Sequence, residues 1–548
     1  MTTPGSADST AFVAAVRDAY ATTGPAVQLG ALVVDGTAHP DAPVQLPLSV
    51  LNRHGLVAGA TGTGKTKTLQ LVAEQLSAHG VPTFLTDVKG DLSGIALPGQ
   101  ASDRVTSRAA DVGQQWAPEG CPTELLALGG IGTGVPVRAT ITSFGPSLLA
   151  RVLDLSEVQS SSLALVFHWA DRAGLPLLDL ADLRAVISHL VSPEGKADLE
   201  GLGGLSKQTA GVLLRELLAF ADGGADAFFG EPELDVHDLL RTVPATGGEQ
   251  RGVVSCLELP AVQGRPALFS TFLLWLLAEL FEELPEVGDL DKPELVFFFD
   301  EAHLLFAGAS RDFVAQVAQT VRLVRSKGVG VVFVTQSPTD LPREVLAQLG
   351  SRVQHALRAF TPDDAKALRA TASTYPKSDQ YDTETLLTSV GTGEAVVTVL
   401  SENGVPTPVA WTRLRAPQSL MAPAPEAEQQ RIVAASPLQA EYGTPVDRDS
   451  AYERLVRKTA APPRADRVDR AGKAADHDDD ARLPSGDSWD EPQRPSSPRA
   501  PTRRKAEPEE RSVVEQVLGS SAFRSFARSA ASSLGREITR SIFGVRRR

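Results

Sequence analysis

Apolar residues follow two rhythms along most of this chain and neither near its end. Short, mostly apolar runs end at polar or glycine residues: Leu56-Val57-Ala58, the stretch 81–86, Leu295–Phe299 and Val329–Thr335. Such runs suit strands covered on both faces, as in a parallel sheet. Between them, steps of three and four through Leu69, Val72, Ala73 and Leu76 predict a helix over 66–79, stopped by Gly80. Residues 268–281 and 313–325 read as further helices. Residues 27–34, 353–360 and 393–400 add strands, and the P-loop strand is expected to start at Asn52. The stretch 135–143 is strand-like, 147–241 is mostly helical in spacing, and 252–259 returns to the sheet. Strands alternating with helices over short loops predict an α/β fold with a mostly parallel sheet and right-handed crossovers.

These rhythms divide the chain. Residues 1–50 form a short N-terminal β segment. Residues 51–146 and 242–415 are two parts of one core, interrupted by a large helical insertion at 147–241, and 416–459 extend the core. From 460 to 510 Pro, Arg, Asp and Ser dominate, which predicts a disordered linker. The acidic run Asp476 to Asp480 inside it reads as solvated charge. Residues 511–548 regain helical spacing through Val514, Val517, Leu518, Phe526, Leu534 and Ile538. Arg524, Arg528, Arg536 and Arg540 lie on the other face. A basic amphipathic helix docks on its own body or a neighbouring subunit, or else binds a membrane, a partner protein or nucleic acid.

Chemistry concentrates where apolar strands end. Gly59-Ala60-Thr61-Gly62-Thr63-Gly64-Lys65-Thr66, followed by Lys67, leads from a strand into a helix and matches G-x-x-x-x-G-K-[ST]. Its backbone N–H groups and the helix dipole suit phosphate oxygens, Lys65 the β/γ-phosphates, and the Thr66 hydroxyl a Mg²⁺ ion. Downstream, Asp300-Glu301 ends an all-apolar strand. Asp300 is a Mg²⁺ ligand and Glu301 the base that polarises a water, against the plainer reading of an acidic pair at a helix start. Gln336, at the end of the next strand, is placed to sense a γ-phosphate, or else forms a turn before Pro338. Arg322 and Arg325, near a helix end, offer an arginine finger to a neighbouring subunit or simply favour the dipole, and only one of them need serve. Arg53 is a candidate nucleotide contact within its own chain, or else a surface arginine. His303 either couples nucleotide state to nearby loops or is a packed histidine. The glycine-rich 129–134 lacks a following Lys-Ser/Thr and reads as a turn.

Composition adds limits. A net charge of −14 argues against a surface that coats nucleic acid throughout, though not against a local basic channel. Cys121 and Cys256 have no metal-ligand spacing and suit a reducing cytoplasm. No signal-peptide pattern opens the sequence, and its longest apolar stretch is too short to span a bilayer.

Four strings together resemble the HerA/FtsK superfamily, and most nearly its bacterial YjgR-like branch of HerA-like helicases. They are Arg53 through Thr66, Asp87-Val-Lys-Gly-Asp-Leu-Ser-Gly94, Asp300-Glu-Ala-His303 and Arg322 through Gly330. The resemblance implies a RecA-like P-loop NTPase core, ATP and Mg²⁺ as cofactors, a homo-hexamer with ATP between subunits, and DNA in a central pore. By motif position Arg325 is similar to the trans finger and Arg53 to a cis-acting arginine. The short segment before the P-loop departs from HerA, whose larger N-terminal β-barrel docks a nuclease. Expected, then, is a cytoplasmic ATPase that moves DNA. The alternative is a secretion- or conjugation-like motor acting on protein or membrane partners through residues 511–548.

Overall fold

A computed structural model describes residues 6–460, apart from 200, 246, 289, 307–310 and 379. Most of the predicted linker and all of the basic helix at 511–548 lie outside the described residues. Helix α1 (Ser6–Ala19), not expected from the sequence, precedes the hairpin β1 (Ala26–Val34) and β2 (Thr37–Pro47). A short helical turn, Leu48–Arg53, takes the place of the expected strand start at Asn52, because Leu48, Val50 and Leu51 all turn into the core. Then come β3 (Gly55–Ala58), α2 (Lys65–Ala78), β4 (Thr83–Asp87), α3 (Asp103–Asp111), β5 (Thr123–Leu128) and β6 (Val135–Val137).

The strand-like run 135–143 stops early. Thr140 Oγ1 accepts a hydrogen bond from Ser143 N at 3.1 Å, capping helix α4 (Ile141–Val152). Gly145, at φ 71°, and Pro146 kink this helix. Helices α5 (Glu157–Arg172), α6 (Leu180–Leu190), α7 (Pro193–Asp198) and α8 (Lys207–Asp222) follow. The hairpin β7 (Thr242–Pro244) and β8 (Gln250–Gly252) stands apart from the main sheet, so only β9 (Val254–Glu258) of the expected strand 252–259 joins it. The long apolar helix α9 (Pro266–Glu283) leads to β10 (Leu295–Phe299), α10 (His303–Phe306), α11 (Arg311–Val324) and β11 (Val329–Thr335). Strands β12 (Ser351–Gln354), β13 (Glu394–Thr398) and β14 (Ala410–Leu414) complete the sheet.

The main sheet has the order β2-β1-β14-β13-β12-β3-β11-β10-β4-β9-β5-β6. From β12 to β6 all neighbours are parallel; from β2 to β12 they are antiparallel. Side chains of β10 alternate between two cores. Leu295, Phe297 and Phe299 share a core with α9 and helices α4, α5, α6 and α8, while Val296 and Phe298 pack toward α2 and the β1–β2 hairpin. Each of these phenylalanines is at most 1 % exposed, and burying such a side chain is worth about 2 kcal/mol. The uninterrupted apolar run is therefore a strand sandwiched between two cores.

His54 ties the start of β3 to β11. Its backbone adopts φ 63°, ψ 165°, a region that only glycine visits freely. The position is held because Nδ1 accepts a hydrogen bond from Val331 N at 3.1 Å and the carbonyl accepts one from Ser351 N. Burial, reinforced by the positive charge of Arg325, lowers the pKa of this ring from 6.5 to about 4. The unfolded chain takes up the proton first on acidification, so the stabilisation from His54 is complete above about pH 6.5 and is lost as pH falls toward 4. His54→Asn keeps an acceptor and tolerates positive φ but does not titrate. Urea unfolding should show wild type losing about 3 kcal/mol relative to H54N between those pH values; a constant difference would refute this role.

Candidate active site

The loop between β3 and α2 owes its shape to glycine. Gly59, Gly62 and Gly64 have φ of 153°, 80° and 118°, and a Cβ on Gly59 would stand 2.5 Å from the Cβ of His355. Both ends of the loop are anchored to neighbouring strands: Gly59 N donates to Thr335 O, Ala60 N to Ala356 O, and Gly393 N to Thr63 O. His355, buried and beside β12, bonds Thr68 Oγ1 at 2.8 Å and braces the first turn of α2. Burial, and then the charge of Lys65, lower its pKa to about 4, so the ring is neutral. Lys65 Nζ donates to Gly59 O at 2.7 Å and Ala60 O at 3.3 Å. Burial lowers the pKa of this ammonium, while Glu301 and Asp300 act in the opposite sense. Thr66 occupies the first turn of the same helix.

Sheet order places the acidic pair. Strand β11 separates β3 from β10, so Asp300 emerges two strand spacings, about 10 Å, from the loop, with Gln336 at the strand end between them. Asp300 is buried; its N–H donates to Thr86 Oγ1, and its Oδ2 has no partner. Burial, and then the charge of Glu301, raise the Asp300 pKa to about 7. Glu301 turns into the site with φ 48°, a left-handed conformation uncommon for a long side chain. Its Oε1 is paired with Lys89 and its Oε2 stands 3.3 Å from His303 Nδ1. Burial alone would raise the Glu301 pKa, but the hydrogen bond and charge of Lys89, with help from His303 and Lys65, reverse this and leave it lowered.

Lys89 was missed as a site residue, although it stands where Asp300 does, just past a buried strand. Its loop is fixed by Asp87, whose carboxylate accepts from the backbone N–H groups of Lys89, Gly90, Asp91 and Leu92. His355 left no signal in the sequence, since only the pairing of β12 with β3 brings it to the loop. A cleft of about 410 Å³ joins Ala60, Gln336, His303, Asp340 and the unforeseen Arg358. Asp340 Oδ2 accepts from Thr335 Oγ1 and Ser337 N, fixing the turn that carries Gln336.

The arginines lie elsewhere. Arg325 opens the turn before β11, while the phosphate loop lies at the far end of that strand and of β3. Six residue steps of β11 separate the two edges, about 20 Å, beyond the reach of one side chain. Arg322 and Arg325 are both exposed. Arg53 is likewise at the wrong end of β3 for a contact in its own chain: it precedes the strand, and its guanidinium lies against Gly404. The expected cis contact is thus corrected, because a β-strand carries the chain away from Arg53 before the loop begins.

The site fits Mg²⁺. Thr66 and Asp300 supply hard oxygen donors, and the Oδ2 of Asp300 is buried without a hydrogen-bond partner. Among the described residues, no helix is long and apolar enough to cross a membrane.

No match is found among curated protein sequences. Among solved structures, the bacterial conjugative coupling protein TrwBdeltaN70 is 14 % identical with a TM-score of 0.48, covering 75 % of this chain and 95 % of its own. The plasmid coupling protein TrwB in complex with ADP and Mg²⁺ is 16 % identical at 0.47, covering 73 % and 98 %. VirB4 of Thermoanaerobacter pseudethanolicus is 14 % identical at 0.45, covering 72 % and 98 %. A family model described as "Helicase HerA-like C-terminal" matches residues 33–548. With the phosphate loop and acidic pair at adjoining ends of a mostly parallel sheet, the chain belongs to the HerA-like C-terminal helicase family and is a P-loop ATPase that uses ATP and Mg²⁺.

Proposed function

We propose that this ATPase is a cytoplasmic, homo-hexameric DNA translocase of HerA type. The observation that carries the ring is the division of the site. Lys65, Asp300, Glu301 and Gln336 gather at one edge of the sheet, whereas the exposed Arg322 and Arg325 lie at the other, where only a neighbouring subunit's nucleotide can use them. DNA as cargo is supported by the family's description as a helicase. The core comprises 51–146 and 242–415, the helices of 147–241 form an insertion, and 416–459 extend the core by packing back on it.

In this reading residues 59–67 cradle the phosphates, and Lys65 leaves its loop carbonyls to neutralise charge on the β/γ-phosphates. Thr66 and Asp300 would hold Mg²⁺, which would supply Lewis-acid stabilisation of the phosphate oxygens. Glu301, kept ionised by Lys89, takes the proton of the attacking water. Gln336 orients that water, and the neighbour's Arg325 meets the charge that develops in the transition state.

Three outcomes follow from these roles. Glu301→Gln should bind ATP normally while turnover drops by about 10²–10⁴-fold; retained turnover removes Glu301 as the base. Arg325→Ala should lose about 10³-fold in rate, and mixing it with Lys65→Ala subunits should restore activity, since each supplies what the other lacks. Failure of that mixture, with success of the same experiment on Arg322→Ala, transfers the finger to Arg322. Finally, single- or double-stranded DNA should stimulate ATPase activity, and the stimulation should fade as salt rises. Absence of stimulation, together with liposome binding by residues 511–548, would instead establish a motor for membrane or protein partners.

A further inference from the structure

Aromatic residues make up only 5 % of this chain, yet three of them gather at one cleft. Helix α1, the β1–β2 turn, the helix Thr383–Ser389 and strand β14 enclose about 230 Å³ and share no residue with the ATP edge. Phe12 and Tyr381 meet edge to face, with ring centroids 5.6 Å apart, and Trp411 completes the aromatic lining. Val34 and Leu386 add aliphatic surface. The polar tips of two rings are pinned: Tyr381 Oη donates to Val33 O at 3.3 Å and Trp411 Nε1 to Glu394 Oε2 at 3.0 Å. All three rings are only partly buried, so the wall is formed in advance and left open.

Carboxylates edge this wall. Asp35 and Asp382 both line the cleft and both are exposed. Asp35 is fixed in the two-residue turn Asp35-Gly36, at φ 50° and 79°, and Asp382 accepts from Thr385 Oγ1. Among the described residues, no lysine, arginine or histidine lines the cleft. Arg413, two residues beyond Trp411, is already paired with Glu394 and Asp111. Two carboxylates beside aromatic faces repel an anion and attract a cation that can lie against a ring.

Size narrows the occupant. Clefts for small molecules commonly hold about 300–1,000 Å³, so this one suits a single side chain. A lysine ammonium is a strongly hydrated point charge, whereas the arginine guanidinium is planar, weakly hydrated and stacks on rings. Its aliphatic stem matches Val34 and Leu386. We propose that this cleft is a docking pocket for an arginine side chain of a partner protein. The guanidinium lies among Phe12, Tyr381 and Trp411 and pairs with Asp35 and Asp382. The pocket stands independently of the ATPase reading, because none of its residues handles nucleotide there.

Saturation-transfer NMR on the full chain, which detects weak ligands, should compare acetyl-Gly-Arg-Gly-amide with its citrulline counterpart, similar in shape but uncharged. The arginine peptide should bind at least tenfold more tightly. A net charge of −14 attracts any cation weakly, so variants at the pocket decide. Asp35→Asn keeps a residue that tolerates positive φ and should weaken the arginine peptide at least threefold. Phe12→Ala removes one ring and should also cost at least threefold. Should the alanine variant fail to fold, Asp35→Asn decides alone. Equal binding of the two peptides, undiminished arginine binding in Asp35→Asn, or no binding of either peptide overturns the pocket. Free L-arginine binding more tightly than the peptide overturns the protein partner, since its carboxylate should be repelled by the acidic rim.

Discussion

Burial of both faces of the central strands is the constraint on which the molecule depends. β3, β11, β10 and β4 lie side by side between two apolar cores, so charged groups have no place along their length. They can appear only where the chain leaves the sheet. All four strands run in parallel, and their C-terminal ends deliver the phosphate loop, Gln336, the Asp300–Glu301 pair and the Asp87–Asp91 loop to one edge. The order β3-β11-β10 leaves a strand's width between loop and acids, which is room for phosphate and cation. An unpaired polar group introduced on a face of these strands would be buried, at a cost of about 1–3 kcal/mol.

Charge at that edge is balanced through several groups. Glu301 would be a costly buried anion were it not paired with Lys89 and approached by His303 and Lys65. Asp300 has no hydrogen-bond partner at Oδ2, and burial, then the charge of Glu301, raise its pKa. Two carboxylates adjacent in sequence thus have their pKa values pushed in opposite directions. The left-handed backbone at Glu301 is part of the same arrangement, since it turns this side chain toward Lys89 and His303 rather than along the strand. Strain of this kind persists only where surrounding structure holds it, here by Ala302 N donating to Val334 O on the next strand.

The segment after β14 links distant parts of the chain. It first straps α2 through Glu74 and Gln70, then turns back over β6 and α6. There Arg138 donates to Tyr442 O, Tyr442 Oη donates to Asp238, and Asp182 accepts from Tyr452 N. The last described helices thus brace β6 and α6, while the residues just before them line a cleft beside the phosphate loop.

Amino-acid order alone determined whatever depends on neighbours in sequence. Glycines at forced φ, a lysine and a hydroxyl at the head of a helix, and carboxylates closing an all-apolar run are local requirements, and each was legible. So were the long helices 268–281 and 313–325, whose spacing outlasts their uncertain ends. What the sequence could not disclose was which strand ends meet. Lys89, His355 and Arg358 join the site only through the pairing of β4, β12 and β3, and Arg53 is excluded from the loop of its own chain because an intervening strand carries it to the opposite edge. Helix α1 and strand β5 were missed because neither has an apolar rhythm long enough to rise above its surroundings, and the run 135–143 misled because a threonine cap turns it into a helix. Covalent proximity sets local chemistry, but the sheet's hydrogen-bonded order decides which local chemistries face one another. That order is a property of the two cores closing together, not of any one segment.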